Sequence, residues 1–381
     1  MVDVLCKTDT GAPCISVLVP VFNVERFLPQ CLDSLTAQTI SSIEFICVDD
    51  GSTDKCPSIL DQYASTDNRF KVIHVPNGGY GAAMNRALSL AGGKYIGILE
   101  SDDWAEPSTF QELYNLAEAH DWPDIVKANH YRHLANGSLT TSDYYPSNLC
   151  TTPTKLVDAR GLATNEARIV IRPPATIWSG IYRRNFLLEH EISFLESPGA
   201  SYQDIGFSLK ALCMASVIML TNKSYVHYRV DNEGSSSVSN DKAFCVIEEF
   251  SELDRYLNET IERLSRKAAL SELLADKRLR AYWWNATRVA PPARNEFVYS
   301  ARIELLALTE LGYLNVTSLS PSMARRLDKW LHSPEQLLLD LKIRDARNKG
   351  SRAMALKIRR RLLKFSNSIK RDNSRCKHKL P

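Results

Sequence analysis

Three carboxylates follow an apolar run near residue 100. The run Tyr95–Leu99 leads directly into Glu100, Asp102 and Asp103, which is typical of a buried strand whose carboxyl end opens into a cleft. Carboxylates this close repel one another where the dielectric constant is low, so they favour a bound cation. Because the neighbouring ligands are oxygens, they predict Mg²⁺ or Mn²⁺, which proteins hold with one or two carboxylates and share with substrate phosphates. The alternative is an acidic turn that caps the helix beginning near Pro107.

Two more acids end an earlier predicted strand. Asp49 and Asp50 come directly after the predicted strand Glu44–Val48. In open α/β sheets, ligands bind outside the carboxyl ends of the strands. Acids at two neighbouring strand ends therefore predict a nucleotide between them, with one group on the base or ribose and the other on a metal at the diphosphate. Helix capping by Ser52 or Asp54 is compatible with this role.

A glycine-rich loop follows the predicted strand Phe70–Val75. Its residues Gly78, Gly79 and Gly81 permit either a tight turn or a close approach of the backbone to a ligand. Because no Gly-Lys-Ser/Thr sequence follows, the loop is not a Walker phosphate loop.

Further candidates for chemistry lie later in the chain. Asp204 stands just before an apolar helical pattern and is either an N-cap or a general base. Trp178 is either a packed aromatic residue or a platform for an acceptor. Arg229 and the serines after it, Ser235 among them, either bind phosphate or form a polar loop.

The first hundred residues alternate strand and helix patterns. Strands at 15–22, 44–48, 70–75 and 95–99 with helices between them predict the order βαβαβαβ, and hence an α/β fold with a mostly parallel sheet. Asn23 is predicted to cap the first helix. After residue 240, helical patterns at 243–264, 268–286, 300–311 and 322–343 predict a mainly helical region.

The composition is ordinary for a globular protein. A chain of 381 residues, 44% hydrophobic and 24% charged, is large enough for one α/β domain with an appendage. The net charge of +3 is too small to predict a nucleic-acid partner. Nine cysteines without a CxxC pair predict reduced thiols. With neither a signal peptide nor an apolar run of the ~20 residues that a membrane span needs, we expect a cytoplasmic protein.

The last thirty residues are strongly basic. In the segment 351–371, apolar residues recur at helical spacing among lysines and arginines. A basic amphipathic helix of this kind suits an anionic membrane surface. The alternative is a solvated helix that packs on its own domain.

These motifs, taken in order, resemble those of the family 2 glycosyltransferases, which are inverting GT-A-fold enzymes that use nucleotide sugars. The resemblance runs from about Ile15 to Ser237 and is carried by six segments: ISVLVPVFN, VDDGSTD, the Asn77–Asn85 loop, LESDDW, SYQDIGF, and HYR with its following serines. It implies a Rossmann-like, mostly parallel sheet with flanking helices over residues 1–240. A helical region at 241–350 and the basic tail at 351–381 would follow.

The resemblance implies a donor site at the strand ends. Val19 and Pro20 would line the nucleobase pocket, and Asp50 would bind the base. Asp102 would reach the ribose or the metal, and Asp103 would bind the metal. In the glycine-rich loop, Gly79 and Asn85 would contact the nucleotide sugar.

The resemblance also implies a catalytic base and shows three departures. Asp204 stands where the family has its base, usually written Glu-Asp, but Gln203 replaces the Glu. Glu100 replaces the more common Asp of the acidic motif, and Met84 stands where many members have an Arg.

The implied reaction is a single displacement. Asp204 removes a proton from an acceptor hydroxyl, whose oxygen attacks the anomeric carbon opposite the nucleotide and inverts its configuration. A UDP-sugar is the favoured donor. The basic tail and the resemblance together suggest a saccharide or polyprenyl-linked acceptor at the inner face of the plasma membrane, in surface-polysaccharide synthesis.

Two alternative functions stay open. The chain is either such an enzyme or a nucleotide-sugar-binding or scaffold subunit without turnover, which the intact set of Asp102, Asp103 and Asp204 disfavours. A nucleotidyltransferase would need a glycine-rich loop with Arg and Lys near the N-terminus, which Arg26 alone does not supply.

Overall fold

The computed structural model describes residues 11–134, 136–156, 163–230, 243–291, 293–314 and 319–348. Ser235, the predicted domain boundary at 240 and the tail segment 351–371 lie outside the described residues. The predicted division at 240 and 350 therefore stays a prediction.

Strands and helices alternate through the first half of the chain, and helices follow. The strands are β1 (Ile15–Val21), β2 (Ile43–Asp50), β3 (Phe70–Val75), β4 (Tyr95–Ile98), β5 (Trp104–Ala105), β6 (Ile125–His133), β7 (Leu139–Thr141), β8 (Gly180–Arg183) and β9 (Ile218–Arg229). The helices are α1 (Leu28–Thr36), α2 (Cys56–Thr66), α3 (Tyr80–Leu90), α4 (Thr109–Ala119), α5 (Ala167–Ile171), α6 (Arg184–Glu189), α7 (Gln203–Met214), α8 (Cys245–Thr260), α9 (Leu264–Arg288), α10 (Ala293–Glu310), α11 (Pro321–His332) and α12 (Pro334–Asn348).

The strands form one mixed sheet in the order β3-β2-β1-β4-β8-β6-β9-β5, and β7 pairs with β6. The pairs β3–β2, β2–β1 and β1–β4 are parallel, as the alternating pattern predicts. Strand β8 joins β4 in the antiparallel direction, so the later half of the sheet is mixed. The α/β fold with flanking helices and a helical C-terminal region is confirmed.

The register of the parallel strands places their carboxyl ends at one edge. Every residue of β1 and β2 is buried, as expected for central strands covered on both faces. Leu18 of β1 lies opposite Ile98, the last residue of β4. Pro20 therefore lies beyond the end of β4 and pairs only with Val48 of β2, so its missing N–H removes no hydrogen bond to β4.

The glycine-rich loop lets two backbone segments touch. A Cβ atom on Gly79, whose φ is +90°, would lie 2.8 Å from the carbonyl oxygen of Ser197, and one on Gly81 would lie 2.1 Å from that of Leu195. The segment 195–199, which leads to α7, therefore lies directly on the start of α3. The structure thus shows close approach between two segments of this chain, a role that differs from the close approach to a ligand that the sequence suggested.

Gly81→Ala should destabilise the protein, because the new methyl group meets a backbone oxygen that cannot move independently. Overpacking of this kind costs about 1–3 kcal/mol in the free energy of unfolding. Urea denaturation measures the change. The matched control is Gly92→Ala, whose Cβ would lie an ordinary 3.6 Å from Glu44, and which should change stability by less than about 0.5 kcal/mol. Equal effects of the two variants would contradict the close approach at Gly81.

The chain divides into two compact units, residues 1–278 and 279–381. In the second unit, Trp330 of α11 is fully buried. Its ring lies 6.0 Å from Phe297 of α10 and 6.4 Å from Tyr282 of α9. These aromatic contacts form the core of that helical unit.

Most described cysteines are free, as expected for reduced thiols: Cys31, Cys47, Cys56, Cys150, Cys213 and Cys245. Cys14 is disulfide-bonded, so that expectation is wrong for this residue, whose position in the sequence carries no signal of pairing. Across the ranges given above, no helix combines the length and apolar character that a membrane crossing requires.

Candidate active site

The predicted carboxylates gather at the carboxyl edge of the parallel strands. Glu100 follows β4, and the hydroxyl of Tyr80, at the start of α3, donates to its Oε1 over 2.7 Å. Burial raises the pKa of Tyr80 and of Glu100, for Glu100 to about 8, and the negative charge of Asp204 makes a smaller contribution in the same direction. Asp204 therefore lies within electrostatic range of the acidic strand end, although about a hundred residues separate them in sequence.

Asp103 has the features of a cation ligand. Its side chain is buried, and its Oδ1 accepts the backbone N–H of Arg229 over 2.8 Å. Among the described residues, no donor reaches its Oδ2. A buried carboxylate oxygen without a partner is costly unless a positive charge compensates it. Burial and the neighbouring charge of Asp102 raise the pKa of Asp103. Both effects disfavour the ionised carboxylate, and a bound cation would stabilise it.

The residues present fit a cation that a ligand helps to hold. In the described part of the chain, no group of three or more His, Cys, Asp or Glu side chains is arranged to bind a metal ion. Mg²⁺ and Mn²⁺ sites, however, often use only one or two carboxylates together with substrate phosphates. Asp102 and Asp103 can supply that number.

Arg229 supports the acidic strand end from β9. Besides its backbone bond to Asp103, its Nε donates to the carbonyl oxygen of Asp102 over 3.0 Å. Its guanidinium lies over the rings of Phe27 and Trp104, 4.7 and 4.9 Å from their centres. The observed contacts thus give Arg229 a role in holding the loop of Asp102 and Asp103. Its predicted contact with phosphate stays a prediction.

The acids that end β2 bind their own loops. Asp50 accepts the backbone N–H groups of Gly78 over 2.7 Å and Gly79 over 3.0 Å, one on each oxygen. Asp49 lies 2.8 Å from a ring nitrogen of His74. Asp50 therefore fixes the glycine-rich turn, and its predicted contact with a nucleobase stays a prediction.

The other donor-site candidates lie near this edge. Val19 and Pro20 are buried in the second half of β1. The amide of Asn85 makes two hydrogen bonds to the backbone of Phe194, of 2.9 and 3.0 Å. Asn85 thus holds the segment that leads to α7, and its predicted contact with the donor stays a prediction.

Asp204 lies in the first turn of α7, where its Oδ1 accepts the backbone N–H of Ile205 over 2.9 Å. Burial raises the pKa of its carboxyl from 3.8 to about 6. A base whose pKa is closer to neutrality accepts a proton more readily and is still mostly ionised at pH 7. The position therefore suits proton abstraction.

Gln203 holds the turn before Asp204. It is fully buried, its Oε1 accepts the N–H of Ser201 over 2.5 Å, and its Nε2 donates to Ser197 Oγ over 2.8 Å. An amide both donates and accepts, whereas a carboxylate only accepts. Gln at this position is thereby explained by the contacts of the turn, and the acid available for chemistry is Asp204.

An aromatic pair borders the carboxylates. Trp178 is 8% exposed and stacks on Tyr228, with ring centres 5.3 Å apart and planes at 16°. Tyr228 is close enough to Asp103 and Asp204 for their charges to raise its pKa, after the larger effect of burial. The role of Trp178 as an acceptor platform stays a prediction. Tyr80 and Tyr228 were missed by sequence reasoning, although each directly adjoins a motif residue, Gly79 or Arg229.

The sequence model described as Glycosyl transferase family 2 matches residues 16–165. EpsH of Bacillus subtilis is 34% identical over 219 residues, which are 57% of this chain and 61% of EpsH. The match thus spans less than two thirds of that relative. The poly(ribitol-phosphate) beta-glucosyltransferase of Bacillus spizizenii is 41% identical over 108 residues, which are 27% of this chain and 17% of that protein.

Among solved structures, residues 1–349 of Staphylococcus aureus TarS in complex with UDP-GlcNAc superpose with a TM-score of 0.66. The alignment covers 88% of this chain and 92% of the TarS chain at 19% sequence identity. At that identity, the likeness establishes the shared fold alone.

Proposed function

We propose that the chain is a member of glycosyltransferase family 2, whose model matches residues 16–165, and that it transfers a sugar from a UDP-sugar to a hydroxyl group of a saccharide or lipid-linked saccharide. The observation that supports this proposal is that Asp204 lies close enough to Glu100 to raise its pKa, and that Asp102, Asp103 and Asp204 all lie close enough to Tyr228 to raise the pKa of its hydroxyl group. The shared fold with TarS, which binds UDP-GlcNAc, supports the choice of a uridine nucleotide.

The proposed reaction is a displacement at the anomeric carbon. Asp204 takes the proton of the acceptor hydroxyl on its carboxylate, and the acceptor oxygen forms a bond to the anomeric carbon. The bond from that carbon to the diphosphate breaks from the opposite face, so the configuration inverts and the electron pair leaves with the nucleotide. Mn²⁺ or Mg²⁺ held by Asp103 and Asp102 would neutralise charge on the diphosphate. Arg229 keeps the Asp102–Asp103 loop in place through its two bonds.

The activity should be lost in acid with a midpoint near pH 6. A general base works only when ionised, and burial raises the pKa of Asp204 to about 6. Below that pH, kcat/KM should fall about tenfold per pH unit. The dependence of kcat/KM on pH between pH 5 and 8 measures this decrease on the acid side. A limb near pH 4, the ordinary value for Asp, would contradict the raised pKa.

The acceptor is proposed to be a polyprenyl-linked or other surface saccharide at the inner face of the plasma membrane. The relative named poly(ribitol-phosphate) beta-glucosyltransferase supports a polymeric acceptor. The basic pattern of 351–371 supports contact with anionic lipid, at about 1 kcal/mol for each Lys or Arg near the surface.

Removal of residues 351–381 should abolish binding to anionic liposomes and leave binding to neutral liposomes unchanged. Co-sedimentation with phosphatidylglycerol and phosphatidylcholine vesicles measures both. Unchanged binding of the shortened chain to anionic vesicles would remove the membrane role of the tail.

Thermal unfolding with nucleotides tests the proposed donor site. A ligand that binds only the native state stabilises it by about 2.7 kcal/mol at a hundred times its Kd. We expect UDP with Mn²⁺ to raise the melting temperature more than GDP, CDP or dTDP does, followed by release of UDP from one member of a panel of UDP-sugars. If no nucleotide shifts the melting temperature, the proposal of a nucleotide-sugar donor site is wrong. If UDP binds but no sugar is transferred, the scaffold function is favoured.

A further inference from the structure

A buried acid on α8 lies behind the turn that carries Asp204. Glu249 is 2% exposed, and no donor among the described residues reaches either oxygen of its carboxyl group. Buried polar groups in proteins are nearly always hydrogen-bonded, so an unpartnered one calls for an explanation. An apolar residue of similar size would pack there at lower cost.

The carboxyl group of Glu249 lies in a notch on α7. A Cβ atom on Gly206 would lie 2.0 Å from Glu249 Oε2, so in its observed position the carboxyl group occupies the space that a larger side chain at residue 206 would need. Gly206 is two residues after Asp204, in the same turn of α7. The side chain of Glu249 is therefore packed against the backbone turn that holds the proposed base.

Three acidic neighbours of Glu249 favour its neutral form, whereas Lys210 favours its ionised form. Asp204 and Lys210 face it from α7, and Glu248 and Glu252 from its own helix. Lys210 is paired with Glu252 at 3.0 Å. Burial first, and then the charge of Asp204, raise the pKa of Glu249 to about 8. At neutral pH, Glu249 is protonated while Asp204 is ionised.

We propose that Glu249 is a positioning residue for Asp204, whose neutral carboxyl fills the notch at Gly206 and so fixes the turn that presents the base. This inference rests on the proposed role of Asp204 as general base. Glu249 exchanges no proton with the substrate. When Glu249 ionises, its buried negative charge repels that of Asp204 and displaces the turn that carries the base. We therefore expect kcat to fall at alkaline pH.

The first test uses thermal unfolding, without any substrate, to probe the contact between Glu249 and Gly206. In the wild-type background, Gly206→Ala should lower the melting temperature, because the methyl group and the carboxyl group occupy the same space. In the Glu249→Ala background, the same change should be neutral or stabilising, because Ala favours a helix over Gly where nothing obstructs it. An equal effect in both backgrounds would overturn the proposed contact.

The second test compares the dependence of kcat on pH between the wild type and variants of Glu249. Glu249→Ala should lower kcat about tenfold at pH 7, and the neutral isostere Glu249→Gln should restore it. The wild type should lose kcat near pH 8, whereas Glu249→Gln should stay active there. Glu259→Gln, at an exposed position of the same helix, is the matched control and should behave as the wild type does. An alkaline limb unchanged in Glu249→Gln would overturn the inference, because a purely structural role does not shift it.

Asp204→Asn separates this inference from the proposed function. If Asp204→Asn keeps its activity, the proposed base is wrong, whatever Glu249 does. If Asp204→Asn is inactive and the Glu249 variants match the wild type at every pH, the proposed function stands and the positioning role fails. The expected result is an inactive Asp204→Asn together with a shifted profile in Glu249→Gln.

Discussion

Asp204→Asn should lower kcat about 10²- to 10⁴-fold, which is the usual contribution of a positioned general base. The substitution keeps the size of the side chain, and its Oδ1 still accepts the N–H of Ile205, which Asp204 binds over 2.9 Å. The turn at the start of α7 should therefore keep its structure, while the group that takes the proton is lost. Single-turnover measurement with the UDP-sugar identified by the nucleotide screen gives the rate of the chemical step.

Nucleotide binding distinguishes loss of the base from loss of the site. UDP should stabilise Asp204→Asn as much as it stabilises the wild type, because the donor contacts proposed for Asp102 and Asp103 are unchanged. Asp121→Asn is the matched control, since Asp121 is exposed and its φ of +57° suits Asn. A variant at Asp204 that keeps more than a tenth of wild-type kcat would contradict its assignment as the base.

The alternating part of the fold was predictable because each strand carries its own signal. The runs that form β1 to β4 are apolar and rich in β-branched residues, and each is followed by a turn and an amphipathic helix. The parallel order then brings their carboxyl ends to one edge. For that reason, the location of Asp49, Asp50, Glu100 and Asp103 at one edge could be predicted. The two acidic strand ends are not neighbours as predicted, however, because β1 lies between β2 and β4.

Contacts between distant segments were not predictable from local patterns. Asn23 was expected to cap the next helix, but it has a φ of +50° and accepts the N–H of Thr53 over 2.8 Å. The helix α1 begins at Leu28 without a side-chain cap. The choice between the two partners depends on how the β1 and β2 loops meet, which no residue near Asn23 specifies.

One helix boundary was missed although the sequence contained its signal. The pattern at 322–343 predicted a single helix, whereas α11 ends at His332 and α12 begins at Pro334. Proline is favoured in the first turn of a helix and disfavoured in its interior. The apolar periodicity continues across Ser333, so it hides a break that Pro334 indicates.

The least predictable features of the site are the residues that contact the site acids, or the turns that carry them, from distant parts of the sequence. Tyr80 reaches Glu100 because the glycine-rich turn, held by Asp50, places the start of α3 beside β4. Glu249 contacts the turn of Asp204 in the space left by Gly206, which has no side chain. Neither pair has a regular sequence spacing, so the pairing depends on the tertiary packing of α3 and α8.

Asp103→Asn should abolish the metal-dependent part of nucleotide binding. The new side chain can still accept the N–H of Arg229, which Asp103 binds over 2.8 Å, but it no longer offers a negative charge to a cation. A catalytic metal contributes several kcal/mol to stabilisation of charge in the transition state, so kcat should fall about 10²-fold or more. The increase in melting temperature given by UDP with Mn²⁺ should shrink to the value that UDP gives alone.

Although Asp103→Asn should weaken nucleotide binding, it should not lower the stability of the ligand-free protein. One buried oxygen of Asp103 has no donor among the described residues and lies near the charge of Asp102. Replacement by an amide removes the negative charge of residue 103 from the interior. Without ligands, Asp103→Asn should therefore melt at the same temperature as the wild type or higher, whereas Asp121→Asn should be unchanged in both assays. A variant that is less stable and yet keeps its response to Mn²⁺ would show that Asp103 is a structural residue. Higher stability together with a lost metal response would show that function, and not folding, requires this carboxylate.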